Sequence, residues 1–147
     1  YEIMPSLVGS EMCIRDRMYV KGVTCSSCHD VHGTDYDADL LAPGNEVCTS
    51  CHQPQLQAGP ANSLEIHTQH AADSDGSSCV ACHMPQIART VGNVNVSSHT
   101  FKFISPLDTQ RYGVPNPCTS CHTNETNEWA LAELRTWPHV SSWRVAP

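Results

Sequence analysis

The sequence predicts a mainly α-helical protein with much irregular loop and few or no strands. Leu, Ile, Val and Phe together make up about 18% of the 147 residues, which is low for a domain built on an aliphatic core. Gly, Pro, Asn and Ser cluster in stretches such as residues 42–45 and 115–117 and mark turns between short elements. Residues 91–96 alternate enough for one short strand. Nine cysteines and nine histidines must therefore help to hold the fold together.

The clearest predicted helix covers residues 125–137. Thr126 suits its N-cap, and Pro138 ends it because proline cannot continue a helix. Leu131 and Leu134 lie three residues apart and begin an apolar stripe. We expect this stripe to pack into the interior.

The N-terminal segment differs in character from the rest of the chain. Residues 7–17 read LVGSEMCIRDR and are similar to the translation of a transposon-end adapter used in sequencing libraries. The sequence thus predicts that residues 1–17 are non-native and that Cys13 has no function. Residues 18–147 are expected to form a single domain, which can be a fragment of a longer protein.

Charge and hydropathy narrow the function classes. The formal net charge is −7, with 8 basic and 15 acidic residues, and no basic patch could follow a phosphate backbone. This pattern argues against nucleic-acid binding. No run approaches the 18 or so apolar residues of a membrane span.

Eight of the cysteines form four Cys-x-x-Cys-His motifs. Such spacing is typical of covalent haem attachment, in which two thiols form thioether bonds to the vinyl groups and the histidine binds the iron. The predicted attachment cysteines are Cys25, Cys28, Cys48, Cys51, Cys79, Cys82, Cys118 and Cys121, and the predicted proximal iron ligands are His29, His52, His83 and His122. The motif count predicts four haem c groups.

Two other readings of the motifs are weaker. Structural zinc would use the cysteine pairs two at a time, but it does not require a histidine after every pair. Thioredoxin-like redox chemistry needs one such pair in a βαβ context, whereas this chain has four pairs and few strand signals.

The motifs and their flanks resemble the multihaem c-type cytochromes, specifically the tetrahaem family with paired CxxCH motifs. Residues 22–24, 43–45, 84–85 and 113–117, which flank the motifs, also fit this family. The resemblance covers residues 20–138. It implies a small haem-packed domain with closely spaced haems, assembly outside the cytoplasm in the periplasm or beyond the cell, and electron transfer.

Five histidines outside the motifs are enough to complete bis-histidine ligation of four irons. We predict that four of them are distal ligands, namely His32, His67, His70 and His99. We expect the fifth, His139, to be a surface residue. His67 and His70 lie in a predicted short helix over residues 64–72. Their spacing places both rings on one face, where they could bind two adjacent irons, or one iron and one haem propionate. His32 and His99 stand where the resembled family carries distal histidines. Met84 directly follows His83 and is too close to bind the same iron.

These features predict an electron-transfer protein with low-potential, mostly bis-histidine haems. Two closed axial positions favour an electron carrier over an enzyme, although the sequence does not decide that question. Two alternatives stay open: the haem domain of a multihaem nitrogen-compound oxidoreductase with one open haem, and a filament-forming cytochrome subunit. An acidic carrier suits redox partners with a basic docking face, and it can belong to a larger multihaem complex or a homo-oligomer.

Overall fold

A computed structural model of the protein describes residues 17–56, 63–89 and 95–146. The described chain is mostly short helices joined by irregular loops, which confirms the predicted fold class. Its helices are α1 Arg17–Val20, α2 Glu46–Leu56, α3 Ser63–Thr68, α4 Cys79–His83, α5 Pro106–Tyr112, α6 Pro117–Cys121 and α7 Asn127–Thr136. Short 3₁₀ turns cover Cys25–Ser27, Asp37–Asp39, Asp75–Ser77 and Ser142–Arg144.

The strands among the described residues form one small antiparallel pair. Strands β1 Ala88–Arg89 and β2 Asn95–Val96 pair antiparallel, with Ala88 opposite Val96. The strand predicted over residues 91–96 is therefore present at its C-terminal end, and residues 91–94 lie outside the described residues. The predicted non-native segment also lies outside them, apart from Arg17 in α1.

The chain divides into two compact units, residues 1–53 and residues 54–147. The first contains the motifs at Cys25 and Cys48, and the second contains those at Cys79 and Cys118. The single-domain organisation expected for residues 18–147 stays a prediction.

In the first unit, the chain after the first motif folds back onto it. The backbone N–H of Asp30 donates to Asp39 O at 2.9 Å, and that of Leu41 donates to Cys28 O at 2.9 Å. Ala38 and Asp39, between these contacts, both have left-handed backbone angles, with φ of 57° and 52°. This conformation is uncommon for residues with a side chain, and it sets the direction of the Ala38 carbonyl.

In the second unit, α5 and α7 pack together and supply the buried aliphatic core. The buried apolar side chains among the described residues are Leu107, Ala130, Leu131 and Leu134. Thr126 caps α7 as predicted, because its Oγ1 accepts from Trp129 N at 3.2 Å, and α7 ends at Thr136, close to the predicted Trp137. The core is small, as the scarcity of aliphatic residues predicts.

The predicted helix over residues 64–72 is shorter than expected. Helix α3 ends at Thr68, and Gln69 turns the chain with a φ of 56°. His70 consequently lies beyond the helix end, so the prediction that His67 and His70 share a helical face is wrong. The left-handed residue points the two rings in separate directions.

Within the described ranges, no helix has both the length and the hydrophobicity of a membrane span.

Candidate haem-binding sites

Three of the four motifs lie on α-helices. The motif at Cys48 lies in α2, the motif at Cys79 forms α4, and Cys118 and Cys121 lie in α6. The first motif begins on the 3₁₀ turn Cys25–Ser27. A helical turn brings residues i and i+3 to the same side, so each cysteine pair can address one partner molecule.

The thiols of the first two motifs lie close together. Burial raises the pKa of Cys28, and the nearby Cys48, Cys51 and Cys25 thiols raise it further. Since this electrostatic effect falls off with distance, the cysteines of both motifs share one region of the first unit.

The third and fourth motifs are close in the same way within the second unit. Burial first, and then Cys118 and Cys121, raise the pKa of Cys82 to about 11. Burial also raises the pKa of Cys118. Helices α4 and α6, which carry these thiols, contact each other. The second unit thus brings three thiols of two motifs together, Cys82, Cys118 and Cys121.

The imidazole of His67 faces that of His83, the histidine of the third motif. Their ring centroids are 6.0 Å apart and their planes differ by 9°. Metal–imidazole bonds of about 2 Å on both sides of one metal ion place two opposed ring centroids roughly 6 Å apart. This pair therefore has the separation that a shared iron requires.

A second pair of imidazoles has the same separation. The ring centroids of His70 and His122, the histidine of the fourth motif, are 6.1 Å apart, with an angle of 40° between the planes. Two histidines separated by only three residues thus face the histidines of two different motifs.

Backbone carbonyls fix several of the candidate rings through Nδ1. His29 Nδ1 bonds to Ala38 O at 2.8 Å, His70 Nδ1 to Thr68 O at 2.5 Å, and His99 Nδ1 to Ser97 O at 3.2 Å. A carbonyl oxygen only accepts, so Nδ1 carries the proton in each ring. The lone pair is then on Nε2, which is the arrangement that a metal-binding histidine needs.

Comparison with known proteins agrees with this geometry. A model of a doubled CXXCH motif matches residues 18–57, and the cytochrome c552 family matches residues 62–136, just over half of the chain. The chain belongs to the cytochrome c552 family. It is a multihaem c-type cytochrome, as the motifs predict.

A solved structure is also similar to this cytochrome. The crystal structure of the outer cell wall cytochrome OcwA matches with a TM-score of 0.55 and 31% sequence identity, over 78% of this chain. The chain spans 26% of OcwA. No curated protein matches the chain.

The residues of this cytochrome fit haem c on two independent grounds. Each motif presents two thiols and an imidazole in one turn of chain, and two of the motif histidines have a second imidazole at the distance of an opposite axial ligand. Haem c is accordingly the cofactor. The number of haems and the role of each residue stay predictions.

Three further predicted ligands, His32, His52 and His99, have exposed side chains. His32 and His52 are exposed in the first unit, and the His32 backbone N–H donates to Asp30 Oδ1 at 2.9 Å. In the second unit, His99 is exposed and its ring lies edge-on to Phe101, with centroids 5.9 Å apart. His139 is exposed as well, and its exclusion as a ligand stays a prediction.

Sequence reasoning missed the residues that support the His70 ring. A Cβ added at Gly76 would lie 2.5 Å from His70 Cγ and 2.8 Å from Nε2, so only glycine fits beside this imidazole. Thr68 is buried, and its Oγ1 donates to Leu64 O at 2.9 Å. A glycine three residues before a CxxCH motif is the only sequence signal that could have suggested this contact.

The sequence predicted Asn116 only as a turn residue, and its buried structural role was missed. Its Oδ1 accepts from Thr119 N at 3.2 Å and caps α6, while its Nδ2 donates to Asn127 Oδ1 at 3.0 Å. The fourth motif is thereby tied to the first turn of α7. An asparagine followed by proline at a helix start is a readable capping signal, but its link to α7 is a tertiary contact.

Proposed function

We propose that this cytochrome transfers electrons through four covalently attached haems, in which bis-histidine ligation predominates. Cys25/Cys28, Cys48/Cys51, Cys79/Cys82 and Cys118/Cys121 form the thioether pairs, and His29, His52, His83 and His122 are the proximal ligands. Each haem iron supplies one electron of Fe(III)/Fe(II) chemistry. The protein supplies attachment, ligand orientation and burial.

The observation that carries this proposal is the pair His67 and His83. Its two nearly parallel rings, with centroids 6.0 Å apart, support a closed iron site with an imidazole on each face. His70 and His122 support a second such site. An iron with both axial positions filled by histidine has no position for a substrate, which favours electron transfer over catalysis. Histidine in place of methionine also favours a low potential.

The arrangement of the motifs supports transfer between neighbouring haems. The thiols of motifs one and two affect each other electrostatically, and so do those of motifs three and four. Haems attached at these positions would lie near each other within each pair of motifs. Short separations of this kind suit electron exchange within each pair.

The charge of the chain supports a basic redox partner. A formal net charge of −7 favours encounter with a positively charged docking face, and the association should weaken as salt rises. The name of OcwA, an outer cell wall cytochrome, supports a location in the periplasm or outside the cell.

A second candidate function follows from the histidines of the first unit. Residues 1–53 contain His29, His32 and His52, and two of these belong to the motifs. This unit thus has one candidate distal histidine for two haems. If one of these two haems lacks a distal ligand, it would be five-coordinate, as the haem domain of a multihaem oxidoreductase requires.

Carbon monoxide binding to the fully reduced, mature protein separates the two functions. Carbon monoxide binds ferrous haem that has an open axial position. Electron transfer through four bis-histidine haems predicts no bound carbon monoxide. Binding of one molecule per chain would favour the open-haem candidate, and binding of two or more would contradict the predominance of bis-histidine ligation. A His67→Ala variant provides the positive control because it opens one position.

A further inference from the structure

Two tryptophans, Trp129 in α7 and Trp137 directly after it, contact the imidazoles proposed for the fourth haem. The Trp129 ring lies 5.0 Å from His122, with 51° between the planes. The Trp137 ring lies edge-on to His70, with centroids 6.4 Å apart and 73° between the planes. One element thus reaches both members of a proposed axial pair.

Helix α7 is a firm support for these contacts. Ala130, Leu131 and Leu134, between the two tryptophans, are buried. The N-terminus of the helix is fixed by the Thr126 cap and by the Asn127 bond to Asn116, and at its C-terminus the backbone N–H of Trp137 donates to Leu134 O at 3.3 Å. Trp129 lies in the first turn of α7, and Trp137 is its C-cap residue. The helix therefore carries one of the two tryptophans at each end.

His70 is also restrained from two other directions. Its Nδ1 donates to Thr68 O, and Gly76 packs against its ring so closely that no Cβ could be accommodated. Trp137 occupies a third direction. The His70 ring therefore has little freedom to rotate about the axis of a bond to iron.

The two proposed axial pairs differ in one measurable property. The planes of His67 and His83 differ by 9°, whereas those of His70 and His122 differ by 40°. In low-spin ferric haem, parallel imidazoles donate π-electron density into the same iron d orbital and separate the two dπ levels most. A larger angle between the two ring planes divides the π-donation between both dπ levels. The energy separation of the two levels then falls, and the largest g value rises.

We infer that Trp129 and Trp137 are positioning residues that hold the axial imidazoles of the fourth haem tilted. This inference rests on the proposed function, because it requires His70 and His122 to bind one iron. It gives the fourth haem a larger maximum g value than the third. The tilt also gives the fourth haem a higher reduction potential than parallel imidazole rings would give it, because π-donation from parallel rings stabilises the ferric state most.

Electron paramagnetic resonance of the oxidised, mature protein tests the inference. His70→Ala and His67→Ala first assign the low-spin signals of the fourth and third haems by removing one each. Trp137→Leu and Trp129→Leu should then lower the maximum g value of the fourth haem towards that of the third, since the released rings relax towards parallel. The signal of the third haem should not move. Trp143→Leu is the control, because Trp143 is 62% exposed and contacts Arg144 instead of an imidazole.

The Phe variants at both positions keep the test decisive if a Leu variant does not mature. Phenylalanine preserves an aromatic contact with a smaller ring, so a smaller shift in the same direction is expected. The inference is overturned if the signal of the fourth haem stays in place in every tryptophan variant, or if both assigned signals move together. If neither His→Ala variant removes a low-spin signal, the proposed axial pairs fail and the inference fails with them. If the His→Ala variants assign both signals but the tryptophan variants leave the signal of the fourth haem unchanged, the inference is overturned and the proposed function is not.

Discussion

The side-chain amide of Asn116 donates from Nδ2 to Asn127 Oδ1 across 3.0 Å, at a site where Asn116 has no solvent exposure. The same amide donates to Thr109 Oγ1, and Asn127 donates onward to Pro106 O, both at 3.0 Å. These bonds join the fourth motif to α5 and α7. The position of one attachment site is thereby fixed by the small buried core.

We predict that Asn116→Ala destabilises the mature protein and reduces haem attachment at the fourth motif. Loss of buried hydrogen-bond partners costs about 1–3 kcal/mol per group left unsatisfied. Thermal unfolding followed by circular dichroism should show a lower midpoint, and peptide mass mapping should show less haem at Cys118 and Cys121. Asn124→Ala is the matched control because Asn124 is exposed. Equal midpoints for both variants would contradict the role of Asn116.

The Gly76→Ala substitution should disturb the fourth haem selectively. The added methyl group would overlap the His70 ring, so His70 must move away from His122. We expect a high-spin band in the visible spectrum and binding of one carbon monoxide molecule per chain. Asp75→Ala, at an exposed neighbouring position, should change neither. A fully low-spin Gly76→Ala protein would show that His70 is not the distal ligand.

The strained loop beside the first motif gives a third prediction. Ala38 has a φ of 57°, which costs an alanine roughly 1–2 kcal/mol relative to the right-handed region and costs glycine little. Ala38→Gly should therefore raise the thermal midpoint of the mature protein. Ala38→Pro should lower it, since proline cannot adopt a positive φ and would move the carbonyl that binds His29 Nδ1.

Ala42→Gly is the control for that prediction, because Ala42 does not have a positive φ. Glycine there only adds freedom to the unfolded chain, so the midpoint should fall. An identical response of Ala38→Gly and Ala42→Gly would contradict the assigned strain.

The helix from Asn127 to Thr136 shows what the sequence could predict. Its cap at Thr126, its buried Leu131 and Leu134, and its end before Pro138 all follow from local rules about helix ends and apolar spacing. The family and the cofactor were readable for a similar reason. Covalent haem attachment needs residues that are close in the sequence, so a contiguous motif is enough to predict it.

The proposed axial pairs could not be predicted from the sequence because they depend on how distant segments meet. The separate directions of His67 and His70 come from the left-handed backbone at Gln69, a residue with no local preference for that conformation. The contacts of both tryptophans depend on where α7 packs, and the contact of Gly76 with His70 depends on how the turn Asp75–Ser77 meets the chain that follows α3. Spacing alone indicated two nearby ligands, but not which motif each of them faces.

Removal of the cofactor should unfold most of the chain. The buried aliphatic core of the described residues is limited to four side chains, so apolar haem surface must supply much of the missing burial. We predict that the polypeptide made without haem attachment shows little helix by circular dichroism and no cooperative thermal transition. A sharp transition in this haem-free protein would contradict a haem-dependent fold.

The mass of the intact polypeptide, matured in a host with cytochrome c assembly machinery, tests the central claim most directly. Eight motif thiols that anchor haem in pairs predict a mass increase of four haems under denaturing conditions. Replacing both Cys118 and Cys121 by Ala should reduce that increase to three. A mature wild-type chain with fewer than four attached haems, or one without any added mass, would contradict the account.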